Sequence, residues 1–208
     1  AVERFGGKAA MTHPAARSGT DRVAEVARER AASVIINVQG DEPLVRPDMV
    51  DQLAEYLARH AAVPMVSLMT KLERPEDRDN PNVVKVVTDR DGFALYFSRA
   101  AIPFARAAEG SGLWALGKGP QPPAPSPQLR SCKHLGIYGY QRHFLLKFPS
   151  LEPTPLEESE QLEQLRALEH GYRIKLLETT HDTVGVDTAE DLVRVEQLLV
   201  SSEKRAAT

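Results

Sequence analysis

The sequence predicts an α/β domain in which buried strands, mostly parallel, are joined by crossover helices. Apolar β-branched runs of strand length alternate along the chain with segments whose apolar residues recur at helical spacing. The 208 residues, with 42% hydrophobic content, supply one sizeable core and too little chain for two typical domains. Acidic and basic residues are interspersed around a formal charge of −3, so no basic stripe can track a nucleic-acid backbone. The single cysteine, Cys132, forms no intrachain disulfide, and no apolar run has the length of a bilayer helix, so the expected location is the cytoplasm. The opening AVERFGGKAA has neither the apolar core of a secretory signal nor an initiator methionine, and the chain is expected to be part of a longer one.

The elements follow in order. TDRVAEVARERAA places Val23, Val26 and Ala27 on one helical face and leads into the buried strand VIINV. GDEP makes a loop, and Pro47 opens a second helix with Val50, Leu53 and Leu57 at core-facing spacing. VPMVSLM is a third buried element, and VVKVVTDRDGFALYFS predicts two strands around a tight Asp91-Gly92 turn. Residues 105–131, rich in proline and glycine, sustain neither ladder nor helix and predict a flexible insertion within the domain. LGIYGY is the next strand. A single helix follows, with Thr154 as N-cap, Pro155 in its first turn, Glu157 at the capping-box position and Gly171 as its stop. IKLLET predicts a strand, TVGVD a short extended piece, and a last helix starts near Thr188.

Four groups of residues can carry chemistry. Asp41 lies in the loop after VIINV, and in open α/β sheets ligands gather at the carboxyl ends of strands. Asp187, in GVDTAED, precedes a helix, and two carboxylates from separate loops can share one Mg²⁺ whose octahedron is completed by phosphates and water. The same residues also suit plainer roles, Asp187 capping the helix with Glu190 and Asp41 bonding turn amides. In RSGTDR, Ser18, Gly19 and Thr20 precede a helix whose first amides can hold a phosphate or a polar base edge, or Ser18 or Thr20 simply caps it. Arg99, His134, Tyr138, Glu160, Glu163 and Gln164 form the last group, the final three being neighbours on one helical face. Together they can read a polyol; separately they suit a sheet tyrosine, a core histidine and a solvated helix face.

The strings SGTDRVAEV, INVQGDEPLV, NPNVVKVVTDRDGFALYFSRAAIPF, HLGIYGYQRHFL, PLEESEQLEQLRAL and GVDTAEDL, in this order, resemble the 3-deoxy-manno-octulosonate cytidylyltransferases, or CMP-Kdo synthetases. The resemblance spans about residue 11 to about residue 199, and FSRAAIP, HLGIYGY and LEQLR point to the Kdo branch rather than to the sialic acid enzymes. It implies a Rossmann-like, mostly parallel sheet of the nucleotide-diphospho-sugar transferase type, with a hairpin region used for dimerisation. It further implies that Asp41 and Asp187 hold catalytic Mg²⁺, that Ser18, Gly19, Arg22 and Gln39 line the CTP pocket, and that Arg99, His134, Tyr138, Glu163 and Gln164 bind the sugar acid.

The reaction so implied is attack of the Kdo anomeric hydroxyl on the α-phosphate of CTP, giving CMP-Kdo and pyrophosphate for lipopolysaccharide assembly. CTP and Kdo are the expected small-molecule partners, with a homodimer and neither nucleic acid nor membrane. The family's opening strand and phosphate-cradling loop, with proline-alanine-arginine, then arginine-leucine-proline and lysine, has no match here. The expectation is therefore one nucleotidyltransferase domain over 1–208, incomplete at its N terminus. A non-catalytic remnant that binds a sugar acid or pairs with a complete subunit is the alternative, together with a CTP-dependent transferase for another sugar acid.

Overall fold

The computed structural model describes residues 2–104 and 132–183, together with positions 185, 186, 189, 192, 193, 195–197 and 199. The expected 105–131 insertion and Asp187 lie outside the described residues.

Helix α1 (Gly19–Arg28) leads to strand β1 (Val34–Val38), helix α2 (Pro47–Arg59) and strand β2 (Met65–Lys71). Strands β3 (Lys85–Thr88) and β4 (Ala94–Ser98) form the expected hairpin. Asp89 organises its turn, its Oδ1 accepting from the Asp91 and Phe93 amides at 2.9 and 2.8 Å, while Gly92 takes the positive φ of 75°. Strand β5 (Cys132–Gln141) runs into helix α3 (Arg142–Lys147), and helices α4 (Pro155–Glu160) and α5 (Gln164–Glu169) precede strand β6 (Ile174–Glu178). Each described position between 189 and 199 is helical, in agreement with a last helix there.

The α/β expectation holds, but the sheet is mixed rather than mostly parallel. Among the described strands only β2 and β6 run parallel; β5 is antiparallel to β1, β2 and β3, and β3 to β4. Strand and helix alternation establishes how elements are connected, not the direction in which a later strand inserts. Here β5 arrives after a hairpin and enters the middle of the sheet reversed.

The sheet is covered on both faces. Against one, α2 buries Met49, Leu53 and Leu57 on Val66, Leu68, Leu135 and Ile137. Against the other, Ala24 and Ala27 of α1 join Tyr140, Phe144, Phe148 and Leu165. The expected core faces are found with an edge shifted: on α2 Leu53 and Leu57 are buried as expected, joined by Met49 rather than Val50, and on α1 Ala27 is buried as expected, with Thr20 and Ala24 more deeply buried than Val23 and Val26.

Close approach over β5 depends on Gly139. A Cβ there would lie 2.7 Å from Val66 Cγ1, 2.9 Å from Leu57 Cδ1 and 3.1 Å from Ile36 Cδ1. Gly139→Ala is therefore expected to destabilise the domain by about 1 to 3 kcal/mol through overpacking, read as a lower Tm in a thermal melt. An unchanged melt would show that α2 has room to move off the sheet.

The single helix expected after Thr154 is broken. Gln161 adopts the left-handed conformation (φ 53°, ψ 48°), ending α4, and α5 restarts at Gln164. The capping box survives in its return bond, Thr154 N–H to Glu157 Oε2 at 3.4 Å, and Gly171 stops α5 at φ 78°. The break separates Glu160 from Glu163 and Gln164, so the three do not share one helical face.

Candidate active site

The split in the sheet positions the site. Strand β5 is paired by β2 on one edge and on the other by two strands in succession, β3 at Cys132 and Lys133 and β1 from Ile137 to Gln141. The β2 register shifts between Ser67 and Leu68, which pair with Tyr138 and Leu135, so β5 bulges opposite them. Ser67 Oγ fills this bulge, lying 3.1 Å from the Leu135 carbonyl and 2.8 Å from that of Ile137. Between β1 and β3 opens a cavity of about 370 Å³, bounded by the loop after β1, the residues entering β3, and the exposed side of the bulge.

Its lining includes Asp41, Arg99, His134, Tyr138 and Gln164, five of the residues named from sequence. Arg99, at the end of β4, is held by main-chain carbonyls: Nε donates to Glu160 O at 2.8 Å and Nη1 to Pro81 O at 2.9 Å. Glu160 uses its carboxylate on Ser98 Oγ and the Arg99 amide, so the Arg99 guanidinium has no ion-pair partner among the described residues. A planar cation fixed in place with no carboxylate bonded to its guanidinium suits a carboxylate ligand.

His134 is 7% exposed, and its Nε2 lies 2.9 Å from Ser67 Oγ. The one Ser67 proton is claimed by the main-chain carbonyls of the bulge, which makes Nε2–H the donor in this bond and leaves Nδ1 as an acceptor. Burial holds the imidazole neutral by lowering its pKa to about 3. The cation is thus disfavoured in the folded state, and the unfolded chain binds the extra proton between about pH 6.5 and about pH 3. This contribution to stability is complete above about pH 6.5, and below that pH the folding equilibrium constant should fall by up to about tenfold per pH unit. An NMR titration of the His134 ring, expected to stay flat down to about pH 4, checks the assignment; a midpoint near 6.5 contradicts it. Beside it Tyr138 keeps its proton, because burial pushes its pKa well above the ordinary phenol value.

Several polar atoms here are buried and without partners among the described residues: Gln164 Nε2, Glu42 Oε2 and, deeper, Glu163 Oε1. Unpaired buried polar atoms are uncommon enough to need a reason, and a hydroxyl-rich ligand supplies one. Burial also raises the Glu42 pKa. Glu163 does not line the cavity; its Oε2 accepts from Thr20 Oγ1 at 2.7 Å, tying α5 to α1.

The nucleotide group is only partly assembled. Ser18 caps α1, accepting from the Asp21 amide at 3.2 Å, and a Cβ on Gly19 would sit 3.4 Å from Gln39 Oε1, so these two residues adjoin. Arg22 points elsewhere, donating to Thr12 Oγ1 at 2.8 Å and lining a separate, mainly apolar hollow.

Asp41 is exposed at the cavity mouth, and its carboxylate has no hydrogen bond among the described residues. Its carbonyl accepts from the Val186 amide at 2.9 Å, which pins the segment just before Asp187 against this loop. The oxygen donors of Asp41 and of Glu42 beside it, whose Oε2 is buried without a partner among the described residues while its carboxylate also meets Thr183 and the Gly136 amide, suit a hard cation such as Mg²⁺. Among the described residues no cluster of three possible ligands is close enough to hold an ion.

Glu42, Arg74, Asn80, Asn82, Lys133 and Thr183 also line the cavity and were not singled out from sequence. The available signals were the second acid of GDEP and the Asn-Pro-Asn turn before β3.

The cytidylyltransferase family model matches residues 1–175. A 3-deoxy-manno-octulosonate cytidylyltransferase of Geobacter sulfurreducens is 48% identical over 195 residues, covering 94% of this chain and 75% of the relative. Another, of Solibacter usitatus, is 46% identical over 202 residues, covering 97% and 73%. The structure of a CMP:2-keto-3-deoxy-manno-octonic acid synthetase complexed with CTP matches with a TM-score of 0.81 at 37% identity, covering 97% of this chain and 76% of that one.

Proposed function

We propose, for a chain that belongs to the cytidylyltransferase family and within it to the 3-deoxy-manno-octulosonate cytidylyltransferases, that it converts CTP and Kdo to CMP-Kdo and pyrophosphate. The observation that carries this reading is the cavity in the sheet split, where an Arg99 guanidinium bonded only to carbonyls, a neutral His134, a protonated Tyr138 and an unpaired Gln164 amide face one space.

Arg99 receives the sugar carboxylate through its planar fork. His134 Nδ1 accepts from one hydroxyl, and Tyr138 and Gln164 donate to others, so the ring is held by its own oxygens. Glu163 acts from beneath, fixing α5 against α1 through Thr20. Ser18, Gly19 and Gln39, which adjoin at the start of α1, line the CTP site. The anomeric oxygen forms its bond to the α-phosphorus as the bond to the pyrophosphate oxygen breaks, and the hydroxyl proton passes to solvent. No covalent enzyme intermediate is needed, because phosphoryl and nucleotidyl transfers depend mainly on positioning and charge. Asp41 and Asp187 would hold Mg²⁺, which when bound supplies neutralisation of the phosphate charge.

The exposed Leu95 and Phe104, on and just after β4, support a homodimer formed through the hairpin region. No helix among the described residues is long and apolar enough to cross a membrane. A cytoplasmic enzyme supplying lipopolysaccharide assembly fits the substrates. Turnover with CTP and Mg²⁺ against Kdo, 8-amino-Kdo and sialic acid tests the substrate: the highest kcat/KM is expected for Kdo, and a preference for sialic acid would overturn that choice.

A further inference from the structure

Lys85, the first residue of β3, is 0% exposed, yet it carries an ammonium group that no sugar or nucleotide touches in the account above. A buried lysine is rare unless its charge is compensated, and here every hydrogen bond of the group goes to a main-chain oxygen while the nearby carboxylates of Asp79, Glu160 and Asp77 also favour the cation. Nζ donates to Asn80 O at 2.8 Å, to Val83 O at 2.6 Å and to Arg99 O. Three acceptors engage all three N–H donors, so the group is the ammonium form; a neutral amine would turn a lone pair toward one carbonyl.

These bonds close a ring. The Asn80 to Val83 turn, itself closed by Val83 N–H to Asn80 O at 3.1 Å, is gripped at both ends by Lys85. From the middle of that turn, Pro81 O accepts from Arg99 Nη1 at 2.9 Å. The main-chain oxygen of Arg99 returns to Lys85. Lys85 therefore holds Arg99 from two directions, through its backbone and through the carbonyl that orients its guanidinium. The same grip places Asn80, Asn82 and Val83 in the wall of the cavity.

We infer that Lys85 is a positioning residue for the sugar-acid subsite, fixing the Arg99 guanidinium and the 80–83 turn in the geometry that receives the carboxylate. This rests on the reading that Arg99 faces the carboxylate of Kdo. Lys85 touches neither substrate, so its removal acts on Kdo through Arg99 and leaves CTP binding alone.

The test is a double-mutant cycle in the full chain, with Lys85→Met, Arg99→Ala and the pair, reading KM for Kdo and for CTP separately, with folding checked by circular dichroism. Lys85→Met is expected to raise KM for Kdo about tenfold or more at unchanged KM for CTP, and to add little in the Arg99→Ala background. An unchanged KM for Kdo in Lys85→Met, equal rises for both substrates, or full additivity with Arg99→Ala overturns the inference. If Arg99→Ala itself leaves KM for Kdo unchanged, the reading of Arg99 fails and the inference with it. Should Lys85→Met not fold, the wild-type protein decides: the Lys85 ammonium NMR resonance should shift on saturation with Kdo, as the carboxylate neutralises the neighbouring guanidinium, and an unmoved resonance counts against the proposal.

Discussion

Asp41→Asn is expected to lower kcat for CMP-Kdo formation at least about a hundredfold, a barrier increase of about 2.7 kcal/mol, at saturating CTP, Kdo and Mg²⁺. The Asp41 side chain is exposed and makes no hydrogen bond among the described residues, so the amide costs the fold little. Its main-chain carbonyl, which holds Val186, is untouched by the substitution. What the substitution removes is a charge at the carboxyl end of β1, where the phosphates and their cation are to be neutralised. The measurement is steady-state turnover beside a thermal melt of the same variant. Near-normal turnover at saturating Mg²⁺, with an intact fold, contradicts the role given to Asp41.

The second large effect is on stability. Glu157→Gln is expected to cost about 3 kcal/mol and to lower Tm by about 6 to 12 °C. Glu157 and Arg166 form a bidentate pair, Arg166 Nε donating to Glu157 Oε2 at 2.7 Å and Nη2 to Oε1, with side chains only 13% and 5% exposed. The pair bridges the break at Gln161, joining α4 to α5, and the guanidinium also packs over Phe148 at 5.0 Å. Removing one charge strands the other in the interior, which is costlier than removing both. The replacement Glu157→Met with Arg166→Met should therefore lose less stability than Glu157→Gln alone. A single variant that melts like the wild type would show that the pair is solvated and contributes little.

Much of the fold was legible because local chemistry decides it. The Asp-Gly turn, the Ser18 and Thr154 caps and the Gly171 stop each depend on a few adjacent residues, and each is found in place. Strand direction was not legible, since it depends on where β5 inserts after the β3–β4 hairpin. The break at Gln161 was hidden as well: an ordinary helix former takes the left-handed conformation there, between Glu160 bonded to the Arg99 amide and Glu163 bonded to Thr20, contacts between distant residues that no local pattern records.

The candidate site follows the same division. Arg99, His134, Tyr138, Gln164 and Asp41 were nameable from ordered strings, and the cavity gathers them from four separate stretches of chain. Glu42 was passed over beside Asp41, although its burial and unpaired oxygen are the stronger physical signal once the structure is known. Lys85 was invisible as more than a strand residue, because its three acceptors are backbone carbonyls that no side-chain pattern records. Arg22 shows the converse, a residue carried over from the motif whose side chain is engaged with Thr12 and His13.

The measurement that tests the central claim most directly is ³¹P NMR of the chain incubated with CTP, Kdo and Mg²⁺. The expected result is loss of the CTP signals with equal appearance of a CMP-Kdo phosphodiester and of pyrophosphate, and no CTP consumption when Kdo is omitted. Kdo binding without CTP consumption, or release of CMP with no sugar ester, would contradict assignment of this cavity to cytidylyl transfer.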